Sequence, residues 1–186
     1  MGRTVQSTGV APTDDGFTVI CPHSEDLDRT GAALTTDPDL GFQSLSYFGP
    51  SLVNLTKLKY RKGLNSKEFM IIDSPGMIDS PMGVSSSVTG NDGGIGVISS
   101  DGQTAGAHVD LSRGYDFAAA IQWFAERADL ILLFFDPDKP GTTGETLNVL
   151  TTSLAGYDYK LRIILNKADQ FLKIHDFARC YGSLCW

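Results

Sequence analysis

Two short stretches hold side chains whose types and spacing could do chemistry. The first is Asp73-Ser74-Pro75-Gly76, which directly follows the apolar run Phe69 to Ile72. A carboxylate at the end of a strand can hold Mg²⁺ through water, and a glycine there lets a backbone N–H come close to a terminal phosphate. Taken alone, D-x-P-G is also ordinary turn chemistry. The second stretch is Asn166-Lys167-Ala168-Asp169, which follows the run Lys160 to Leu165. An aspartate so placed can accept two N–H donors of a base at once, a geometry suited to guanine. The lysine stem can cover the face of a base or ribose, and the asparagine can tie the loop to neighbouring backbone.

Strands must carry both stretches. Phe69 to Ile72 is uninterrupted and bounded by turn residues, which predicts a strand buried on both faces of a parallel sheet. Leu130 to Phe135, ending at Asp136-Pro137, and Lys160 to Leu165 predict two more buried strands. Phe117, Ile121, Phe124 and Ala125 recur at helical spacing, predicting an amphipathic helix to about Arg127. A second helix is predicted over Thr143 to Leu154, with Thr142 or Thr143 as N-cap, Glu145 in its first turn and Gly156 as C-cap. A third starts at Asp176 and runs through Phe177, Tyr181 and Leu184. This alternation predicts an α/β fold with a parallel sheet, whose ligands bind at the carboxyl ends of strands.

The first third of the chain carries less signal. Met1 to Asp15 is polar, and Pro12-Thr13-Asp14-Asp15 fits a turn before the short strand Phe17 to Ile20, which ends at Cys21-Pro22. Residues 23–41 read as loop, Phe42 to Phe48 as a strand, and Leu52, Leu55 and Leu58 as a helical stripe after Pro50-Ser51. Lys57, Lys59, Arg61, Lys62 and Lys67 form the basic cluster, read as a solvated face. Met77 to Asp110 is dense in Gly and Ser and reads as a flexible loop or insertion. Its glycine spacing is not a dinucleotide fingerprint, because no strand feeds it and no amphipathic helix leaves it directly.

Composition narrows the function classes. The 186 residues fit one domain, and 41% hydrophobic with 20% charged residues fits a globular chain. A net charge of −7 argues against nucleic acid as partner, since phosphate contacts need a basic face. No apolar run approaches the roughly 20 residues of a spanning helix. The N-terminus lacks a signal-peptide core and has Gln6 where a myristoylation signal has Ser or Thr. Cys21, Cys180 and Cys185 show no C-x-x-C spacing and fit reduced thiols, and the scattered His23, His108 and His175 point to no metal site.

D-x-P-G closing one buried strand and N-K-x-D closing a later one, in that order, is the signature of the GTPase superfamily. The resemblance is more specific in R-G-Y-D-F-A-A-A-I-Q-W-F-A-E-R-A-D-L-I-L-L-F-F-D (Arg113 to Asp136), L-R-I-I-L-N-K-A-D-Q (Leu161 to Gln170) and Y-G-S-L-C-W (Tyr181 to Trp186). These segments resemble the EH-domain-containing family of dynamin-like nucleotidases. P-T-D-D-G-F-T-V-I is similar to that family's switch I region, and F-Q-S-L-S-Y-F-G to the segment that follows it. The resemblance covers most of the chain except residues 77–111.

It implies a P-loop-NTPase-type, dynamin-like G domain: a mostly parallel sheet flanked by helices, with the P-loop strand missing. Residues 1–76 would run from switch I to switch II, 77–112 would be the insertion, and 113–186 the base-binding half. The implied cofactor is Mg²⁺ with ATP or GTP, adenine nucleotide being the family's habit despite the N-K-A-D loop. Asp73 would hold Mg²⁺ through water, with Thr13 as a second metal contact, and Gly76 would reach the γ-phosphate. Thr13 and Gly76 are the implied catalytic pair, and Asn166, Lys167 and Asp169 the implied base contacts. The implied parent is cytoplasmic, self-associates through its G domain, sits peripherally on endosomal or plasma membrane, and remodels membrane in endocytic trafficking. It would reach membrane through regions outside this chain.

The chain departs from the family pattern in three places. The second of two adjacent switch I threonines, which would touch Mg²⁺, is Asp14. The loop after Gly76 is longer than the family's. No Gly-Lys dipeptide occurs, so the Walker A cradle for phosphates and Mg²⁺ is not in these residues. The family's matching P-loop would lie upstream of Met1, and its helical membrane-binding region and EH domain after Trp186. Without the P-loop strand, the strands ending at Asp73 and Asp136 lose a shared neighbour and keep open ladder edges. Three readings stay open from sequence: a piece of an EHD-type nucleoside triphosphatase, inactive alone; a non-catalytic module keeping dimer or partner surfaces; and a plain α/β domain with coincidental turns.

Overall fold

The computed structural model describes residues 4–6, 16–65, 68–77, 113–136 and 144–185. Thr13, Asp14 and the Gly/Ser-rich stretch beyond Met77 lie outside them. The described residues fall into two units. One comprises 4–77 with 113–127, and the other begins at Ala128.

The first unit is built on a sheet of β1 (Thr18–Pro22), β2 (Leu27–Thr30), β3 (Lys57–Arg61) and β4 (Ile71–Asp73), ordered β2-β3-β1-β4. β1 runs parallel to β3 but antiparallel to β4, and β2 is antiparallel to β3. The second unit holds β5 (Ile131–Phe135) parallel to β6 (Leu161–Leu165). The architecture is therefore α/β with mixed sheets. Parallel pairing is confined to β1–β3 and β5–β6 among the described strands. β4 pairs only with β1, and β5 only with β6, among the described residues.

Three short helices complete the first unit: α1 (Gly31–Thr36), α2 (Pro50–Leu55) and α3 (Phe117–Arg127). Asp116 caps α3, its Oδ1 accepting from the Ala119 N–H at 2.9 Å. Of the predicted stripe, Phe117, Phe124 and Ala125 are buried and Ile121 is half-buried, while Ala120 and Trp123 also turn inward. Phe17, at the foot of β1, meets Phe124 with ring centroids 4.5 Å apart and Phe117 at 6.2 Å. Phe42 and Phe48 close on Trp123 from the other side, at 5.9 and 6.1 Å. Leu34, Leu45, Leu52 and Leu58 fill the remaining core with almost no exposure. In the second unit α4 (Gly144–Asn148) widens into a π-helical turn, Val149–Ser153. There the Thr151 hydroxyl donates to the Leu147 carbonyl at 2.8 Å and the Thr152 hydroxyl to that of Asn148, a back-bonding that opens a helix. α5 (Ile174–Leu184) ends the described chain.

Several expectations need correction. Residues 23–41 hold β2, α1 and a 3₁₀ turn at Pro38–Leu40 rather than loop. β2 forms because β3 is beside it, with Arg61 bonded to the Asp28 carboxylate. Phe42 to Phe48 is no strand: Gln43–Phe48 is a 3₁₀ helix, whose period of three turns Phe42 and Leu45 to the same core. Leu58 belongs to β3, not to α2. The basic cluster is largely that strand, since K-L-K-Y-R alternates and buries Leu58. The runs predicted to be buried on both faces are not. Phe69 is 59% exposed ahead of the short edge strand β4. Along β5, Leu133 and Phe135 are buried while Leu132 and Phe134 are 46% and 56% exposed, so one face alone is covered. On β6, Ile163 is 56% exposed.

Two predictions follow from the packing of the first unit. A Cβ at Gly16 would stand 2.0 Å from the Leu55 carbonyl oxygen, closer than any side chain tolerates. Gly16→Ala should lower unfolding free energy by about 1–3 kcal/mol in urea titrations; an unchanged midpoint would show that α2 is not held against β1. The second concerns Cys21, buried in β1, where loss of hydration pushes the thiol up to about 11. Below about pH 9 the thiol is protonated folded or unfolded. Above that the unfolded thiol ionises first, so stability falls between about pH 9 and 11 at up to roughly 1.4 kcal/mol per pH unit. Cys21→Ala should flatten that part of the stability–pH curve. An equal slope in both proteins would count against the assignment.

Candidate functional site

The D-S-P-G stretch leaves β4 at its carboxyl end, and Asp73 pairs across the antiparallel ladder with Thr18, the first residue of β1. Its carboxylate is exposed and does not stand alone. The Gln6 side-chain amide donates to Oδ2 at 2.7 Å, and the Gln6 carbonyl oxygen in turn accepts from the Lys59 ammonium on β3. Gln6 thus bridges β3 to β4 across β1. Pro75 is buried, which anchors the turn, whereas Gly76 is exposed and has no atom within 4 Å of where a Cβ would stand. Its carbonyl accepts from Arg113 Nη2 at 3.0 Å. The space beside Gly76 is open, and its backbone N–H is not screened by a side chain of its own.

The N-K-A-D stretch lies in the second unit, where parallel β5 and β6 end together. The Asn166 N–H donates to the Phe135 carbonyl at 2.9 Å, continuing the β5–β6 ladder by one bond past the strands. Lys167 then takes the left-handed conformation, φ 52°, the only non-glycine residue to do so among those described. Its ammonium bonds Asp136 Oδ2 at 2.7 Å, at the end of β5. The left-handed step turns the chain into a single 3₁₀ turn, Ala168–Gln170, which sets Asp169 out in solvent. The carboxylate of Asp169 is therefore presented at the carboxyl edge of a parallel pair, where ligands of α/β sheets bind.

The structure thus brings Asp73 and Gly76 together in the first unit and Asn166, Lys167 and Asp169 together in the second. Thr13 lies outside the described residues. Three residues that the motif reading did not assign take part: Gln6, Arg113 and Asp136. Arg113 and Asp136 could have been suspected, since one restarts ordered sequence and the other ends a strand. Gln6 left no signal, because its role depends on which strands are neighbours.

Among the described residues, no three His, Cys, Asp or Glu side chains gather as a metal site. One exposed carboxylate does not fit an ion held by protein alone. It does fit Mg²⁺ that keeps most of its waters and arrives with a ligand's phosphates, since such ions need only one or two protein carboxylates. No helix among the described residues is long and apolar enough to cross a membrane.

No protein-family model matches the chain. Curated relatives do. The chain is 33% identical over 178 residues to human EH domain-containing protein 2, and equally so over the same length to mouse EH domain-containing protein 3. It is 33% identical over 179 residues to bovine EH domain-containing protein 1. Each alignment takes in 96% of this chain and 28% of the relative. The match therefore includes both motifs and spans a little over a quarter of the relatives' length. Over nearly its whole length the chain is thus similar to one segment of the EH domain-containing proteins.

Proposed function

We propose that the chain is the nucleotide-binding part of a dynamin-like, EHD-type protein, its N-K-A-D loop holding the base of ATP or GTP. One observation carries this reading. Lys167 is fixed in the left-handed conformation between the Asn166–Phe135 backbone bond and its own ion pair with Asp136, and this presents Asp169 beyond the ends of two parallel strands. A carboxylate there can accept two base N–H groups, and the lysine stem can lie along the base. In the same reading Asp73 holds a nucleotide-borne Mg²⁺ through water, with Thr13 as its second contact, and the Gly76 N–H points to the terminal phosphate. The parent would be a cytoplasmic protein, self-associating through this domain and peripheral on endosomal or plasma membrane, with membrane remodelling in endocytic trafficking as its task. The similarity to the EH domain-containing proteins supports this wider reading.

The 186 residues contain no Gly-Lys dipeptide, so the strongest phosphate contacts of such sites are not available within them. The isolated chain should therefore show no heat of binding with Mg·ATP or Mg·GTP in the micromolar range by titration calorimetry. Micromolar affinity for either would mean that another phosphate cradle exists in the chain. To test the base loop itself, the chain would replace the matching segment of human EH domain-containing protein 2. In that chimera Asp169→Ala should weaken nucleotide binding by about tenfold or more, the loss expected when charge-assisted hydrogen bonds go. Unchanged affinity would remove Asp169 from the base site.

A further inference from the structure

Arg113 lies outside the D-S-P-G motif by 37 residues, yet its guanidinium reaches the turn. Nη2 donates to the Gly76 carbonyl at 3.0 Å, and the guanidinium carbon sits 4.0 Å over the centre of the Phe117 ring. Phe117 is itself buried at the start of α3 and packed 6.2 Å from Phe17 of the core. The two contacts are made by one rigid group, which sits over the ring and donates from Nη2. A guanidinium can do both at once because it is planar and carries its donors in its own plane. Gly114, which follows, takes φ 72°, so the chain turns sharply before Tyr115 enters the core and Asp116 caps the helix.

Gly76 needs such a support. It is exposed, and the space where a side chain would stand is open among the described residues. Pro75 anchors one side of the turn by burial. On the far side, the hydrogen bond from Arg113 ties down the Gly76 carbonyl.

We propose that Arg113 is a positioning residue for the D-S-P-G turn, holding Gly76 against the α3 core through its carbonyl so that the adjoining N–H is preset for a ligand oxygen. The role rests on the site reading above for its purpose, but the tie itself is a property of the unliganded chain. Rigidity at this glycine is thus referred to the aromatic core rather than to the sheet. It also explains why an arginine stands at the entry to α3, at the opposite end from where the helix dipole favours a cation.

The test is ¹⁵N backbone relaxation on the unliganded chain, comparing Arg113→Met and Arg113→Lys with the parent sequence. Methionine keeps an apolar stem over Phe117 and has no donor, whereas lysine gives up the flat guanidinium over the ring but keeps a charged donor for the Gly76 carbonyl. Arg113→Met should drop the order parameter of Gly76 from near the rigid value of about 0.85 to below about 0.6, with Phe117–Arg127 unchanged. Arg113→Lys should keep Gly76 ordered. An ordered Gly76 in Arg113→Met, or loosening of α3 to the same degree as Gly76, would overturn the proposal. So would a Gly76 equally loose in both variants. None of these outcomes depends on nucleotide, so a failed base-site test in the chimera leaves this result standing and the reverse also holds.

Discussion

The contact of Phe17 with Phe124 is the constraint on which the first unit depends. It joins the foot of β1 to the middle of α3, residues more than a hundred positions apart, and both rings are nearly free of solvent. Burying a pair of aromatic side chains contributes several kcal/mol, about 1.5–3 kcal/mol for each ring. Everything at the D-S-P-G turn is referred to it. β4 is aligned by pairing with β1, and Arg113 reaches Gly76 from a ring that packs on Phe17. A three-residue edge strand such as β4 has little stability of its own and is held in place by its neighbours.

The second unit is organised differently. Its sheet has one parallel pairing, and one face of β5 is open to solvent at Leu132 and Phe134. What gives the N-K-A-D loop a defined shape is local: one backbone bond beyond the strands, one ion pair, and one left-handed residue. The ion pair is half exposed and so contributes little to global stability, within about 1 kcal/mol for pairs of this kind. Its effect is on geometry, since it limits the directions open to the Lys167 side chain.

How much was legible in sequence follows from what each signal depends on. α3 was readable to its ends, because an eleven-residue helix repeats its apolar stripe often enough to be unmistakable. β1, β5 and β6 were readable as strands from apolar runs, and both motifs fall at strand ends as expected. Burial was misjudged for the same runs, since a continuous apolar stretch does not say whether both faces are covered. β2 and β3 were hidden. L-D-R-T and K-L-K-Y-R are too polar to announce a strand, and their order comes from pairing with each other and with β1. The 3₁₀ helix at Gln43–Phe48 was misread as a strand, because a run this short and rich in aromatics suits either element. Gln6 could not be placed at the site from sequence, because it reaches Asp73 and Lys59 across tertiary structure.

The left-handed Lys167 has a consequence of its own. A side chain in that conformation costs roughly 1–2 kcal/mol of backbone strain, and glycine would remove it without changing the path of the chain. The fold keeps the strained residue at the point where the N-K-A-D loop turns. A glycine there would relieve the strain but lose more chain entropy on folding and give up the ion pair with Asp136, so the lysine holds one conformation that a glycine would leave open.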